Sequence, residues 1–279
     1  MNIGLGLPTT MAGISGDLLV EWARRADAGP FSSLGVLDRI AYQNYEPFTA
    51  LAAASAVTKR VRLATMIVIA PLRNTALLAK QAASVDALSA GRLTLGLAVG
   101  ARGEDYEVAS VDSRGRGRRF SEQLETIRDI WEEGRIGPTP KAPGPRLLVG
   151  GSTGEALARM ARYGDGYMHG GGPPRAFGGA AAKALAAWSD LGRPGRPTLW
   201  GMGYFALGDG TAESGAAYLR HYYAFTGPFA EKVAAGNLTS ATAIREFVRG
   251  YEEAGCDELV LLPTVSDLAQ ADRLAQVLA

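Results

Sequence analysis

Short runs rich in Val, Ile, Leu and Met alternate strictly with longer amphipathic stretches, and this rhythm constrains the fold more than any other feature of the chain. The apolar runs fall at residues 3–7, 34–37, 62–69, 93–99, 146–150, 166–169, 198–207 and 258–263. The stretches between them predict helices over 17–28, 47–57, 75–89, 118–133, 154–163 and 176–191. A larger helical region covers 212–225, 229–235 and 240–254, and a last helix covers 266–278. Local punctuation agrees: Pro47 suits a first helical turn, Asp17 suits the start of a helix after Ser15-Gly16, and Ala90-Gly91 suits a helix-to-strand turn. The segment 134–145 is rich in Pro and Gly and reads as a connector.

The 279 residues divide into strand–helix units of roughly 35 residues, close to the size of a right-handed βαβ crossover. Nearly continuous apolar runs are expected of strands covered on both faces. Eight such units close a (β/α)8 TIM barrel, so the fold class is α/β and the chain is one domain, 1–279. A doubly wound open sheet is the alternative, although it usually needs only five or six strands.

Composition removes several functions. Lys and Arg number 29 and Asp and Glu 28, so no basic surface marks the chain for nucleic acid or an anionic membrane. The basic run 114–119 lacks interleaved aromatics and reads as a solvated loop and helix start. No uninterrupted apolar stretch reaches the ~18 residues of a membrane helix, and the N-terminus lacks the basic region of a signal peptide, so a cytoplasmic, reducing location is expected. One cysteine, Cys256, and two histidines, His169 and His221, argue against a disulfide framework and against a metal site. Glycine is abundant, 36 of 279 residues, nearly double the usual ~7%. The backbone must turn tightly, or approach something closely, in many places.

A barrel carries its chemistry at the C-terminal ends of its strands. Residues just past the runs include Thr9, Asp38, Arg39, Arg73, Gly100, Arg102, Glu104, Gly150, Gly151, Ser152, His169, Gly170, Gly171, Gly172 and Thr264. Paired glycosidase carboxylates, a nucleophile elbow and a strand-end Lys for aldolase chemistry are all missing. Gly150-Gly151-Ser152 leads straight into a helix, whose first-turn N–H groups and dipole favour an anion. Gly170-Gly171-Gly172 adds a second set of N–H donors, so the two loops together read as a phosphate cradle, or separately as tight turns. Arg73 reads first as a salt-bridge residue. The aromatic cluster Tyr218, Tyr222, Tyr223 and Phe225 around His221 reads as packing or an interface, or as the roof of a substrate pocket.

Several stretches, in order, resemble the bacterial luciferase-like superfamily of flavin- or deazaflavin-dependent oxidoreductases. They are 34–39 (Leu-Gly-Val-Leu-Asp-Arg), 57–65, 71–74 with 78–86, 91–100, 149–152 and 161–167. The resemblance implies a (β/α)8 barrel holding the ring of reduced FMN, or of coenzyme F-420, in its mouth, without a metal. It places the phosphate on Gly150, Gly151, Ser152 and Gly170, Gly171, Gly172, with Gly100 and Arg102 nearby. A non-prolyl cis peptide at Met66-Ile67 would support the back of the ring. Many relatives carry Asp-His where this chain has Asp38-Arg39. Arginine only donates. Arg39 therefore suits an anionic reduced flavin, a peroxide or a substrate carboxylate better than general-base chemistry. With Asp38 and His169 it completes the expected catalytic set. The implied function is oxygenation of a small organic substrate by reduced FMN and oxygen. Hydride transfer with F-420 and a non-catalytic flavin-binding barrel are the alternatives. A separate flavin or deazaflavin reductase and a homodimer are the implied partners.

Overall fold

Every apolar run becomes a parallel strand in the computed structural model, which describes residues 1–134, 136–140 and 144–279. The strands are β1 (Asn2–Gly6), β2 (Ser33–Val36), β3 (Arg62–Thr65), β4 (Val68–Ile69), β5 (Leu93–Ala98), β6 (Arg146–Gly150), β7 (Gly166–Met168), β8 (Thr198–Phe205) and β9 (Glu258–Pro263). β3 and β4 are two halves of one stave, interrupted at Met66–Ile67, whose peptide bond is cis. Both halves pair with β5. β1 pairs with β2 on one side and β9 on the other, with Leu5 opposite Leu34 and Ile3 opposite Leu259. The sheet therefore has no edge, which excludes the open doubly wound alternative.

The helices are α1 (Gly16–Ala28), α2 (Pro47–Val57), α3 (Thr75–Leu88), α4 (Gly103–Val108), α5 (Arg116–Glu133), α6 (Gly154–Tyr163), α7 (Pro174–Asp190), α8 (Thr211–Tyr222), α9 (Phe229–Ala235), α10 (Ala241–Glu253) and α11 (Ala269–Leu278). Ser15 caps α1, its hydroxyl accepting from the Leu18 N–H, so Asp17 is a first-turn acid rather than the cap. α4 occupies what the sequence presents as a long loop. The connector 134–145 lies partly outside the described residues. No described helix is long and apolar enough to cross a membrane.

Two apolar layers hold the barrel. The outer layer, between strands and helices, buries Trp22, Phe31, Leu51, Phe120, Phe177 and Tyr251. The lumen is filled by Leu37, Met66, Leu148, Met168, Trp200, Met202, Tyr204 and Leu262. Glycines on facing strands make room for these large side chains. A Cβ on Gly35 would lie 2.8 Å from Met66 Cγ, and one on Gly96 would lie 2.2 Å from the Thr65 carbonyl oxygen. Close packing of this kind leaves no slack for an added methyl.

Candidate active site

The loop after β2 carries adjacent residues with opposite duties. Asp38 is buried, and its carboxylate accepts from the Ile69 N–H at 2.9 Å and from both terminal nitrogens of Arg73 at 2.7 and 3.0 Å. It ties β2 to β4 and to the 3-10 turn Ala70–Leu72. Burial pushes the Asp38 carboxyl up, and the Arg73 guanidinium opposes that shift. Asp38 does not orient Arg39: all of these bonds run to the β4 side. A bidentate pair inside the fold and a backbone N–H occupy this carboxylate.

Arg39 turns towards the mouth. It is 7% exposed. One terminal nitrogen pairs with Glu104 and the other donates to the Tyr222 carbonyl at 3.3 Å. Its guanidinium carbon lies 4.3 Å from the Tyr42 ring centre and 5.3 Å from that of Tyr222. Desolvation, followed by the nearby Arg102 cation, lowers its pKa. Arg102 sits over the rings of Tyr222 at 4.7 Å and Phe225 at 4.4 Å. Asp105 fixes the loop beneath, accepting from the Ile40 and Ala41 N–H groups at 2.8 Å each.

The tyrosines of α8 roof this end of the barrel. Tyr218 and Thr10 share a hydrogen bond of 2.5 Å, and Tyr204 and Tyr223 share one of 2.7 Å. Tyr222 packs edge-on against Tyr42 and stacks on Tyr218. Burial raises the phenol pKa of Tyr204, Tyr218, Tyr222 and Tyr223, so these groups stay neutral donors near neutral pH. Tyr42 is bonded to His221 Nδ1 at 2.8 Å, and His221 is exposed. The cluster packs as one buried aromatic layer at this end of the barrel, which agrees with the packing reading.

The glycine loops lie at the same end of the strands. Gly151, Gly171 and Gly172 adopt φ of +132°, +95° and +114°, a region that glycine enters without penalty. The N–H groups of residues 151–155 and 170–172 have no acceptor among the described residues. Thr153 caps α6, its hydroxyl accepting from the Ala156 N–H. Ser152 is exposed beside it. A Cβ on Gly150 would lie 3.0 Å from Ile67 Cδ1, so Ile67 forms the floor beneath this loop while Met66 fills the lumen. Gly100, at φ +72°, backs onto Ile69 in the same way.

His169 stands beside the second glycine loop, its Cε1 3.9 Å from where a Cβ on Gly172 would lie, while Arg102 sits among the rings of the tyrosine cluster. Met168 points into the lumen, so strand alternation sends His169 outward. Its ring packs against Tyr167 and edge-on against Phe177 of α7, with Nδ1 buried and unpartnered. Burial lowers its pKa and so favours the neutral ring. Arg102 lies over the Tyr222 and Phe225 rings and near Arg39. Tyr42, which the sequence did not single out, joins the site because the Asp105 clamp folds its loop back over the barrel; no periodic signal marks it.

Comparison with known proteins gives the following. The model of the luciferase-like monooxygenase family matches residues 4–260. An uncharacterised protein of Mycobacterium tuberculosis is 36% identical over 191 residues, spanning 56% of this chain and 66% of that protein. The pyrimidine monooxygenase RutA of Methylobacterium radiotolerans is 31% identical over 216 residues, 68% of this chain and 54% of that enzyme. These matches thus span less than two thirds of each relative's length. An F-420-dependent secondary alcohol dehydrogenase, solved with an F-420–acetone adduct, shares the fold over 99% of this chain and 97% of its own, with a TM-score of 0.83 and 18% identity.

Proposed function

The chain belongs to the luciferase-like monooxygenase family, whose members are oxidoreductases, and from that premise we propose that its barrel mouth binds reduced FMN and oxygenates a small organic substrate with molecular oxygen. The observation that carries this reading is the pair of glycine loops whose N–H groups find no acceptor among the described residues. Backbone stripped of side chains, beside the N-terminus of α6, fits a phosphate. Gly151, Ser152, Gly170, Gly171 and Gly172 would hold that phosphate, and Gly150 with Ile67 would underlie the ring. When bound, the reduced flavin supplies the electrons that activate oxygen.

The remaining work falls to side chains. Arg39, fixed by Glu104 and by the Tyr42 ring, places a permanent positive charge at the mouth. The neutral tyrosines of α8 exclude water, which strengthens that charge. The Tyr42–His221 hydrogen bond links the mouth to an exposed imidazole, a path by which a proton can leave or enter. A separate reductase supplying the flavin, and a homodimer, belong to the same proposal.

Titration of the apoprotein with oxidised FMN, with reduced FMN under anaerobic conditions and with F-420 tests the reading. Preferential binding of reduced FMN, followed by oxygen-dependent turnover, supports it. Tight binding of F-420 alone assigns hydride transfer instead. Binding without turnover assigns a non-catalytic carrier, and no binding of any of the three removes the cradle.

A further inference from the structure

The described residues leave one guanidinium beside the roof without a partner. Arg102 makes no hydrogen bond or ion pair among them, and its Nε is buried. Its neighbours are rings instead: Tyr222, Tyr223 and Phe225, with centres 4.7, 5.9 and 4.4 Å from its guanidinium carbon. Arg39 is close enough to feel the Arg102 charge, and its Nε is also buried without an acceptor. A buried donor left unsatisfied is costly, and a guanidinium carries five of them.

The acidic groups nearby do not fill this gap. Asp38 is bonded to Arg73 and to the Ile69 N–H. Asp105 accepts two backbone N–H bonds on one oxygen, and its other oxygen is buried without a partner; its charge favours the Arg39 cation, but it forms no ion pair with Arg102. Glu104 reaches Arg39 only, and its side chain is 46% exposed. The phenols around the pair are neutral, because burial raises their pKa, and so supply no counter-charge.

We propose that Arg39 and Arg102 form an anion subsite for the substrate, and that the substrate is an aryl carboxylate whose ring lies among Tyr42, Tyr222 and Phe225. A carboxylate presents two in-plane acceptors that match guanidinium donors in pairs. The surrounding rings favour a flat apolar body over a hydrated ion such as inorganic phosphate. This inference rests on reading the barrel mouth as the active site. It differs from the phosphate cradle in using another set of residues.

Calorimetric titration of the full chain with benzoate and with benzamide provides the test, first without flavin and then with saturating FMN. Benzoate should bind about tenfold tighter than benzamide, the difference expected when charge assists the bonds. Arg102→Gln should erase that preference, and Arg102→Lys should restore part of it. Equal binding of acid and amide by the unaltered chain overturns the proposal without recourse to a variant. Displacement of FMN by benzoate also overturns it, since the guanidiniums would then serve the flavin. FMN binding with no benzoate preference leaves the flavin reading standing and sinks only the subsite. Benzoate preference without flavin binding does the reverse.

Discussion

Aspartate at Gly170 isolates the electrostatics of the proposed phosphate cradle. A Cβ there meets no atom within 4 Å, and Gly170 is outside the left-handed conformation, so the side chain enters open space. Gly151 cannot serve the same purpose. Its φ is +132° and a Cβ would lie 2.6 Å from that of Ala156, so any substitution mixes strain with charge. A carboxylate about 6 Å from a bound phosphate repels it by roughly 0.7 kcal/mol at the dielectric of water and by about 3 kcal/mol at an effective value of 20. The loop is solvent-exposed, so screening favours the lower half, about 1–2 kcal/mol. That is a loss of about 5–30-fold in FMN affinity. Flavin fluorescence quenching measures it directly, with riboflavin as the ligand that lacks a phosphate. FMN should weaken, riboflavin should not, and added salt should narrow the gap. A change below about twofold for FMN, or an equal change for riboflavin, would falsify the placement of the phosphate on this loop.

Two further predictions concern the buried groups Asp38 and His169. Asp38→Ala leaves Arg73 and the Ile69 N–H without their acceptor inside the fold; breaking a buried pair in this way costs about 3–5 kcal/mol, a fall in Tm of about 6–20 °C by calorimetry, and a shift under 2 °C would show that the clamp carries no stability. His169 has its pKa lowered by burial, so the unfolded chain takes up a proton first as pH falls through its ordinary value of about 6.5. Stability is lost in that window, and the wild-type Tm should drop more between pH 7.5 and 5.5 than that of His169→Phe; parallel slopes would contradict the buried, neutral ring.

The barrel was legible because each strand is apolar along its whole length and each helix is not. Two covered faces make the strands continuous runs, and the Gly and Pro between them mark the turns. The stave at 62–69 reads as one run because nothing in Met66-Ile67 signals a break in pairing. α4 escaped because Gly103-Glu104-Asp105-Tyr106-Glu107-Val108 is too short to show a 3.6-residue period. Tyr167, Met168 and His169 present the opposite difficulty. In a strand apolar on both faces, composition does not distinguish lumen from helix layer, so the packing of His169 against Tyr167 and Phe177 exists only in three dimensions.

The pair Asp38-Arg39 concentrates what sequence and structure each contribute. The sequence places a guanidinium, which donates and does not accept, next to the strand-end carboxylate. The structure pairs that carboxylate with Arg73 and the Ile69 N–H. On the rim, Tyr42 is hydrogen-bonded to the exposed His221. The positive charge of Arg39 sits beside a second guanidinium in an aromatic cage. A site built in this way favours an anion already formed over one it must generate.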